Sequence, residues 1–202
     1  MASIYDLKPK FQALWRPLVG WLARVGVTAN QVTVLAALAS IGVGAWLACC
    51  PASRAALAAV PALLFVRMAL NAIDGMLARE HGQKSRLGAV LNEVGDVVSD
   101  AALYLPFARV SGFEPTLVVV IVVLAVISEM TGVVGLQVGA SRRYDGPMGK
   151  SDRAFVFGAL ALLVVCGVPA GQWLTAVLGI VAALLVVTIV NRARRALAER
   201  PA

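Results

Sequence analysis

The stretch N-A-I-D-G-M-L-A-R (Asn71 to Arg79), followed after eight further residues by G-A-V-L-N-E-V-G-D-V-V-S-D (Gly88 to Asp100), decides the fold. At about 3.6 residues per turn, Arg67, Asn71, Asp74 and Ala78 share one helical face, and Gly88, Asn92, Asp96 and Asp100 share another. Both faces are embedded in apolar runs. Carboxylates and carboxamides held there cost several kcal/mol unless they pair, bind a metal or line a wet cavity. The stretch therefore predicts two membrane helices that carry a functional site.

Working outward, 202 residues that are 60% hydrophobic and 14% charged exclude a soluble domain and leave no room for a second one. The first residues do not read as a signal peptide, because Pro9, charges and aromatics interrupt them and no small-residue cleavage site follows. Residues 3–26 instead predict an amphipathic helix lying along the membrane surface. Phe11, Leu14, Trp15, Leu18, Leu22 and Val25 recur at helical intervals, and Lys8, Lys10, Arg16 and Arg24 suit anionic headgroups. Pro9 fits a helix start, whereas Pro17 is expected to kink or divide the helix. Thr28 to Gln31 supplies capping residues, and Asn30 and Thr33 read as helix-start residues more readily than as part of a site wall.

Six apolar spans follow, at about 31–50, 55–79, 87–110, 116–138, 153–168 and 172–190, each near the length that crosses a hydrocarbon core. The predicted fold is thus an all-α integral membrane domain: an interfacial helix, a six-helix core over residues 31–190 and a basic tail over 191–202. The net charge of +7 does not form a nucleic-acid surface. All Lys and Arg except Arg54, Arg67 and Arg109 fall in the first helix, at the loops at 80–86 and 139–152 with the flanking Arg79 and Arg153, and in the tail. These lie on one side, which the positive-inside rule makes cytoplasmic. A bacterial inner membrane with both termini and the signature ends of the helices facing the cytoplasm is expected. Cys49, Cys50 and Cys166 lack metal-ligand spacing and read as packing residues; Trp15, Trp21, Trp46 and Trp173 read as interfacial anchors.

The spacing resembles the signature of the CDP-alcohol phosphatidyltransferase family, D-x2-D-G-x2-A-R-x8-G-x3-D-x3-D. Asp74, Gly75, Ala78, Arg79, Gly88 and Asp96 stand at matching positions, while Asn71 and Asn92 stand where the family has its first and third aspartates. The resemblance implies transfer of a phosphatidyl group from CDP-diacylglycerol, or a related CDP-linked lipid, to a hydroxyl acceptor with release of CMP. It also implies a homodimer of six-helix cores. A divalent metal, Mg2+ or Mn2+, is implied at Asn71, Asp74, Asn92 and Asp96, with Asp96 taking the proton from the acceptor hydroxyl. Asp74, Gly75, Ala78, Arg79 and Gly88 would meet the CDP moiety.

Elementary chemistry agrees with these roles, because a hard cation suits clustered oxygen donors beside a diphosphate and Arg79 suits phosphate. Asparagine supplies an amide oxygen without charge, so weaker metal binding or fewer ions is expected. Glu93 is the nearest spare carboxylate, about 100° round the helix from Asn92.

The two signature spans are expected to form a hairpin turning near Gln83, with Asn71 level with Asp96, Asp74 with Asn92, and Arg67 with Asp100. The last two read as a buried structural ion pair. Lys150 and Arg153, together with Arg142 and Arg143, suit a phosphate on the acceptor or the lipid; topological charge is the alternative for Arg142 and Arg143. Glu129 reads as a packing partner of another polar group, and His81 as a solvated loop residue. Glycerol 3-phosphate, an inositol compound and serine all remain open as acceptors, and the basic loop favours a phosphorylated alcohol. A family member that binds CDP-lipid or a partner without turnover is the rival reading. A transporter is disfavoured, because the acids concentrate in one hairpin and no inverted repeat is evident.

Overall fold

The computed structural model describes residues 4–199, with side chains from residue 13 onward. Seven α-helices follow in order: α1 (Ile4–Arg24), α2 (Ala29–Cys49), α3 (Arg54–Glu80), α4 (Arg86–Tyr104), α5 (Pro115–Val134), α6 (Lys150–Val165) and α7 (Gln172–Ala198). Short 3-10 turns extend α4 over Leu105–Arg109, around Pro106, and α5 over Gly135–Val138. Four stretches are long and apolar enough to cross a bilayer: Ala29–Cys49, Arg54–Glu80, Pro115–Val138 and Gln172–Ala198. Two helices fall short for a reason tied to the site. The 19-residue α4 carries Asn92, Glu93, Asp96 and Asp100, and the 16-residue α6 begins with Lys150, Asp152 and Arg153. Large apolar side chains such as Leu35, Phe65, Met130, Phe155 and Ile180 face outward, as suits an integral membrane protein solvated by lipid.

α1 is a single helix that Pro17 does not divide. It begins at Ile4, so Pro9 lies within it and not at its start, and the side chains of Lys8, Lys10 and Phe11 lie outside those described. The apolar stripe of α1 is split. Val19 is buried with Trp15 and Leu22 beside it, packed on Ile73, Met76 and Leu77 of α3, while Leu14, Leu18, Trp21 and Val25 stay exposed. One helix thus docks onto the core and also offers an apolar edge. The Arg16–Glu80 pair at 3.2 Å ties its middle to the end of α3, a solvent-exposed contact of small worth. Thr28 caps α2, its hydroxyl accepting from Gln31 N at 3.2 Å while Gln31 accepts from Thr28 N at 2.9 Å. Asn30 is therefore not the cap.

The signature helices turn over residues 81–85, near the expected Gln83, and Arg67 meets Asp100, but a third helix joins them. α2 packs closely on both α3 and α4, which have little backbone contact with one another. Glycine explains the choice. A Cβ on Gly44 of α2 would lie 2.0 Å from the Ala102 carbonyl oxygen of α4, so the two backbones cross where only glycine fits. Gly88 of α4 makes room for the Asn30 side chain of α2, whereas Gly95 is in ordinary contact with Thr33. Replacing Gly44 by Ala is expected to lower stability by about 1–3 kcal/mol. Gly42, which has open space at its Cβ position, serves as the neutral control, with thermal unfolding in detergent as the measurement.

α5 pairs with α7 and α3 with α6. Their apolar interior closes around Tyr104, Phe107 and Phe157, with ring centroids 4.3 Å apart for Tyr104–Phe157 and 5.2 Å for Phe107–Phe157. The basic segment expected as a tail is instead helical to Ala198, because Arg192 is buried at 1% exposure with partners on α5.

Candidate active site

α3 and α4 have little backbone contact, are bridged by Arg67 to Asp96 and Asp100, and both pack on α2; the groove along this seam is the candidate cleft. Asp74 of α3, 6% exposed, accepts from Thr33 Oγ1 of α2 at 2.9 Å, so α2 supplies a wall of the site. Gly75 leaves room for Arg79, whose Nη2 lies 2.9 Å from where a Cβ would stand; the exposed guanidinium folds back along its own helix. On the opposite side, Gly88 accommodates the Asn30 carboxamide, whose Oδ1 would be 2.7 Å from an added Cβ. Asp96 of α4 accepts from Lys150 Nζ of α6 and has Arg67 Nη2 of α3 at 3.7 Å. Asp74 lies within electrostatic range of both Asp96 and Lys150. Asn71 is half-buried and Asn92 exposed, on the faces that carry Asp74 and Asp96.

Behind this cleft the charges continue as one chain. Arg67 Nη1 donates to Asp100 Oδ1 at 3.0 Å, and Arg153 Nη2 donates to Asp100 Oδ2 at 2.9 Å and to Glu129 Oε1 at 3.0 Å. Glu129 Oε2 meets Arg142 Nη2 at 2.9 Å and Arg192 Nη1 at 3.3 Å. Arg142 then places its fork on Glu93, with both bonds at 2.7 Å. Asp74, Glu93, Asp96, Asp100 and Glu129 thus face Arg67, Arg142, Lys150, Arg153 and Arg192, a balance of formal charge inside an apolar protein.

Residues 139–149 form a strap between α5 and α6 that is sewn to α7. Met148 N donates to Thr188 Oγ1 at 3.0 Å, Arg192 Nε donates to the Asp145 carbonyl at 3.3 Å, and Arg195 Nη1 reaches Asp145 Oδ1 at 2.9 Å. Arg143 is held between Asp145 and Glu199, and Ser141 donates twice to Glu199. Partial burial pushes the Asp145 carboxyl upward, but Arg143 and Arg195 outweigh it and leave the group below the usual carboxylate range. Gly146, at φ +119°, lets the strap touch Thr188, where a side chain would meet α7 at 2.7 Å. Asp152 Oδ2 accepts from Gly149 N at 2.9 Å and starts α6, whose first residue is Lys150.

The cleft joins Asp74, Asp96 and Lys150, with Arg67 behind them. The other basic residues assigned to an acceptor phosphate are engaged otherwise: Arg153 is 1% exposed between Asp100 and Glu129, Arg142 sits on Glu93 and Glu129, and Arg143 on Asp145 and Glu199. Glu93, considered as a spare ligand, is thereby committed to Arg142. Three residues carry more than the sequence suggested: Thr33 as a partner of Asp74, Glu129 as the acid shared by three arginines, and Arg192 as a core residue. For Glu129 the signal was present, since a lone acid in an apolar span demands cations.

For a divalent metal, the donor chemistry fits in kind but is sparse in charge. Asp74, Asp96 and the amide oxygens of Asn71 and Asn92 are hard donors, yet among the described residues no three acidic, histidine or cysteine side chains gather as a metal site.

Comparison with known proteins gives the chain its relatives. It is 44% identical over 195 residues to the inner membrane protein YnbA of Escherichia coli K12, a match covering 96% of each. It is 36% identical to the phosphatidylinositol phosphate synthase of Mycobacterium tuberculosis over 94 residues, which span 46% of this chain and 42% of that one. The archaetidylinositol phosphate synthase of Aeropyrum pernix is 26% identical over 95% of both chains. Among solved structures, the M. tuberculosis phosphatidylinositol phosphate synthase with CDP-DAG bound shares the fold at a TM-score of 0.75 and 24% identity, covering 89% of this chain and 92% of that one. The same enzyme in complex with manganese and citrate also gives 0.75 at 24% identity, with 92% of each chain covered. The family model for CDP-alcohol phosphatidyltransferases matches residues 26–190. With that span and the YnbA match, this chain belongs to the CDP-alcohol phosphatidyltransferase family.

Proposed function

We propose that the chain is a phosphatidyltransferase that joins the phosphatidyl group of CDP-diacylglycerol to a phosphorylated polyol and releases CMP. The observation that carries this reading is that Asp74 of α3 and Asp96 of α4 lie within electrostatic range of one another beside Lys150, with the Arg79 guanidinium exposed and folded back toward Gly75. α2 to α7 make the six spans and α1 lies at the surface, with the cleft open to the cytoplasm; the basic loop, strap and end of α7 on one side support this orientation.

Asp96 accepts the proton of the acceptor hydroxyl as its oxygen bonds to the lipid-side phosphorus, and the phosphoanhydride bond breaks so that CMP leaves with the bonding pair. Arg79 pairs with diphosphate oxygens through its planar donors. Asn71, Asp74, Asn92 and Asp96 would hold Mg2+ or Mn2+, which when bound supplies Lewis-acid stabilisation of the diphosphate. The M. tuberculosis enzyme that shares this fold forms a complex with manganese, which supports a divalent metal in this family. A polyol phosphate is favoured because relatives are named inositol phosphate synthases and because the strap is cationic. Arg142 takes the acceptor phosphate by exchange with Glu93, the more exposed of its two acids.

The test is CMP release by purified protein from CDP-diacylglycerol with Mn2+, offering inositol phosphate, glycerol 3-phosphate, inositol and serine in parallel. Release that depends on a phosphorylated acceptor supports the proposal. Tight binding of the CDP-lipid without release under every acceptor overturns it in favour of a non-catalytic binder.

A further inference from the structure

The residue that the cleft adds to the signature is Lys150. Its ammonium reaches Asp96 from the first turn of α6, and Asp74 also feels its charge. Arg67 Nη2, on a side chain 4% exposed, stands 3.7 Å from the same Asp96 oxygen. The signature faces hold Asn71 and Asn92 where two further carboxylates would have made room for more positive charge. The ion pairs around Asp96 set Arg67, Arg142, Lys150, Arg153 and Arg192 against Glu93, Asp96, Asp100 and Glu129, and Asp74 beside them makes the formal charges even. A lone divalent cation brings two positive charges, which a bound diphosphate offsets; a second one would sit against an ammonium and a guanidinium with no acid left to pair it.

We propose that Lys150 is a resident cation of the active site that takes the place of a second metal ion, so that each chain binds one divalent cation. This rests on the metal-assisted transferase reading and deepens it. Lys150 is suited to the task because it is fixed. The strap before it is sewn to α7, and Asp152 starts its helix at the preceding glycine, so the ammonium is delivered to Asp96 by backbone placement rather than by a free loop. The Lys150 side chain is 31% exposed.

The experiment counts Mn2+ bound per chain by electron paramagnetic resonance titration of chelator-stripped protein, with thermal unfolding to confirm that each variant is folded. The wild type is expected to bind one ion. Lys150→Met and Lys150→Gln are expected to bind a second or to hold the first at least about tenfold more tightly, whereas Lys150→Arg keeps the count at one. Asn71→Asp with Asn92→Asp should raise the count in the wild-type Lys150 background. Two ions on the wild type overturn the proposal, as does unchanged or weaker Mn2+ binding in both Lys150 variants; in that event a rise in the KM for the acceptor assigns Lys150 to substrate alone. CMP release measured on the same samples separates the two readings, since turnover with two ions per chain sinks this inference and leaves the transferase intact. One ion per chain without turnover does the reverse.

Discussion

Replacing Asp96 by asparagine is expected to lower CMP release from CDP-diacylglycerol by about 10²- to 10⁴-fold while the protein still folds. The substitution keeps size and shape and removes the one carboxylate that both Lys150 and Arg67 address within the cleft. It withdraws the proton acceptor and leaves the ammonium without its acid. Asp96 is half-buried, so the fold does not rest on it as it does on the deeper Asp100, which is 5% exposed. The check is a steady-state assay with saturating CDP-diacylglycerol and acceptor, alongside thermal unfolding of the same preparation. Activity within a few fold of wild type would remove Asp96 from the chemistry and with it the assignment of the cleft.

The largest effect on stability is expected at Glu129. This acid is 8% exposed within an apolar span and is shared by Arg142, Arg153 and Arg192. Converting it to glutamine leaves positive charge uncompensated in a region that water hardly reaches. Breaking a buried pair by removing one partner costs about 3–5 kcal/mol, and three partners put this site at the upper end of that range. Glu129→Gln should therefore unfold at markedly lower temperature than wild type in the same detergent, and Glu129→Asp should fall between. If the glutamine variant proves as stable as wild type, the arginines are being neutralised by something other than Glu129.

Much of this was legible in the chain because burying polar groups in lipid is so costly that their positions stand out. Asp74 and Asp96 could be marked as a site and Arg67 with Asp100 as an ion pair, and the helices located within a few residues except at the end of α7. What spacing could not give was which helix lies beside which. Helices joined by a short loop were expected to pack on each other, yet Gly44 lets the α2 backbone come closer to α4 than α3 does, and Gly88 makes room for Asn30. Thr33 thereby became a partner of Asp74, a relation across 41 positions that no local pattern encodes. Basic residues posed the opposite difficulty. Arg153 and Arg192 look like headgroup or topology charges in sequence, and only three-dimensional packing shows that each is buried against acids of other helices.

The clasp formed by Arg195 and Glu199 on the strap has a practical corollary for handling this protein. The last turn of α7 and Glu199 brace the peptide that leads to Lys150, so an affinity tag or protease scar placed close behind them is not an innocent modification. Enzymology on such material would describe a loosened catalytic centre, and a purification handle belongs at the other end or behind a generous spacer.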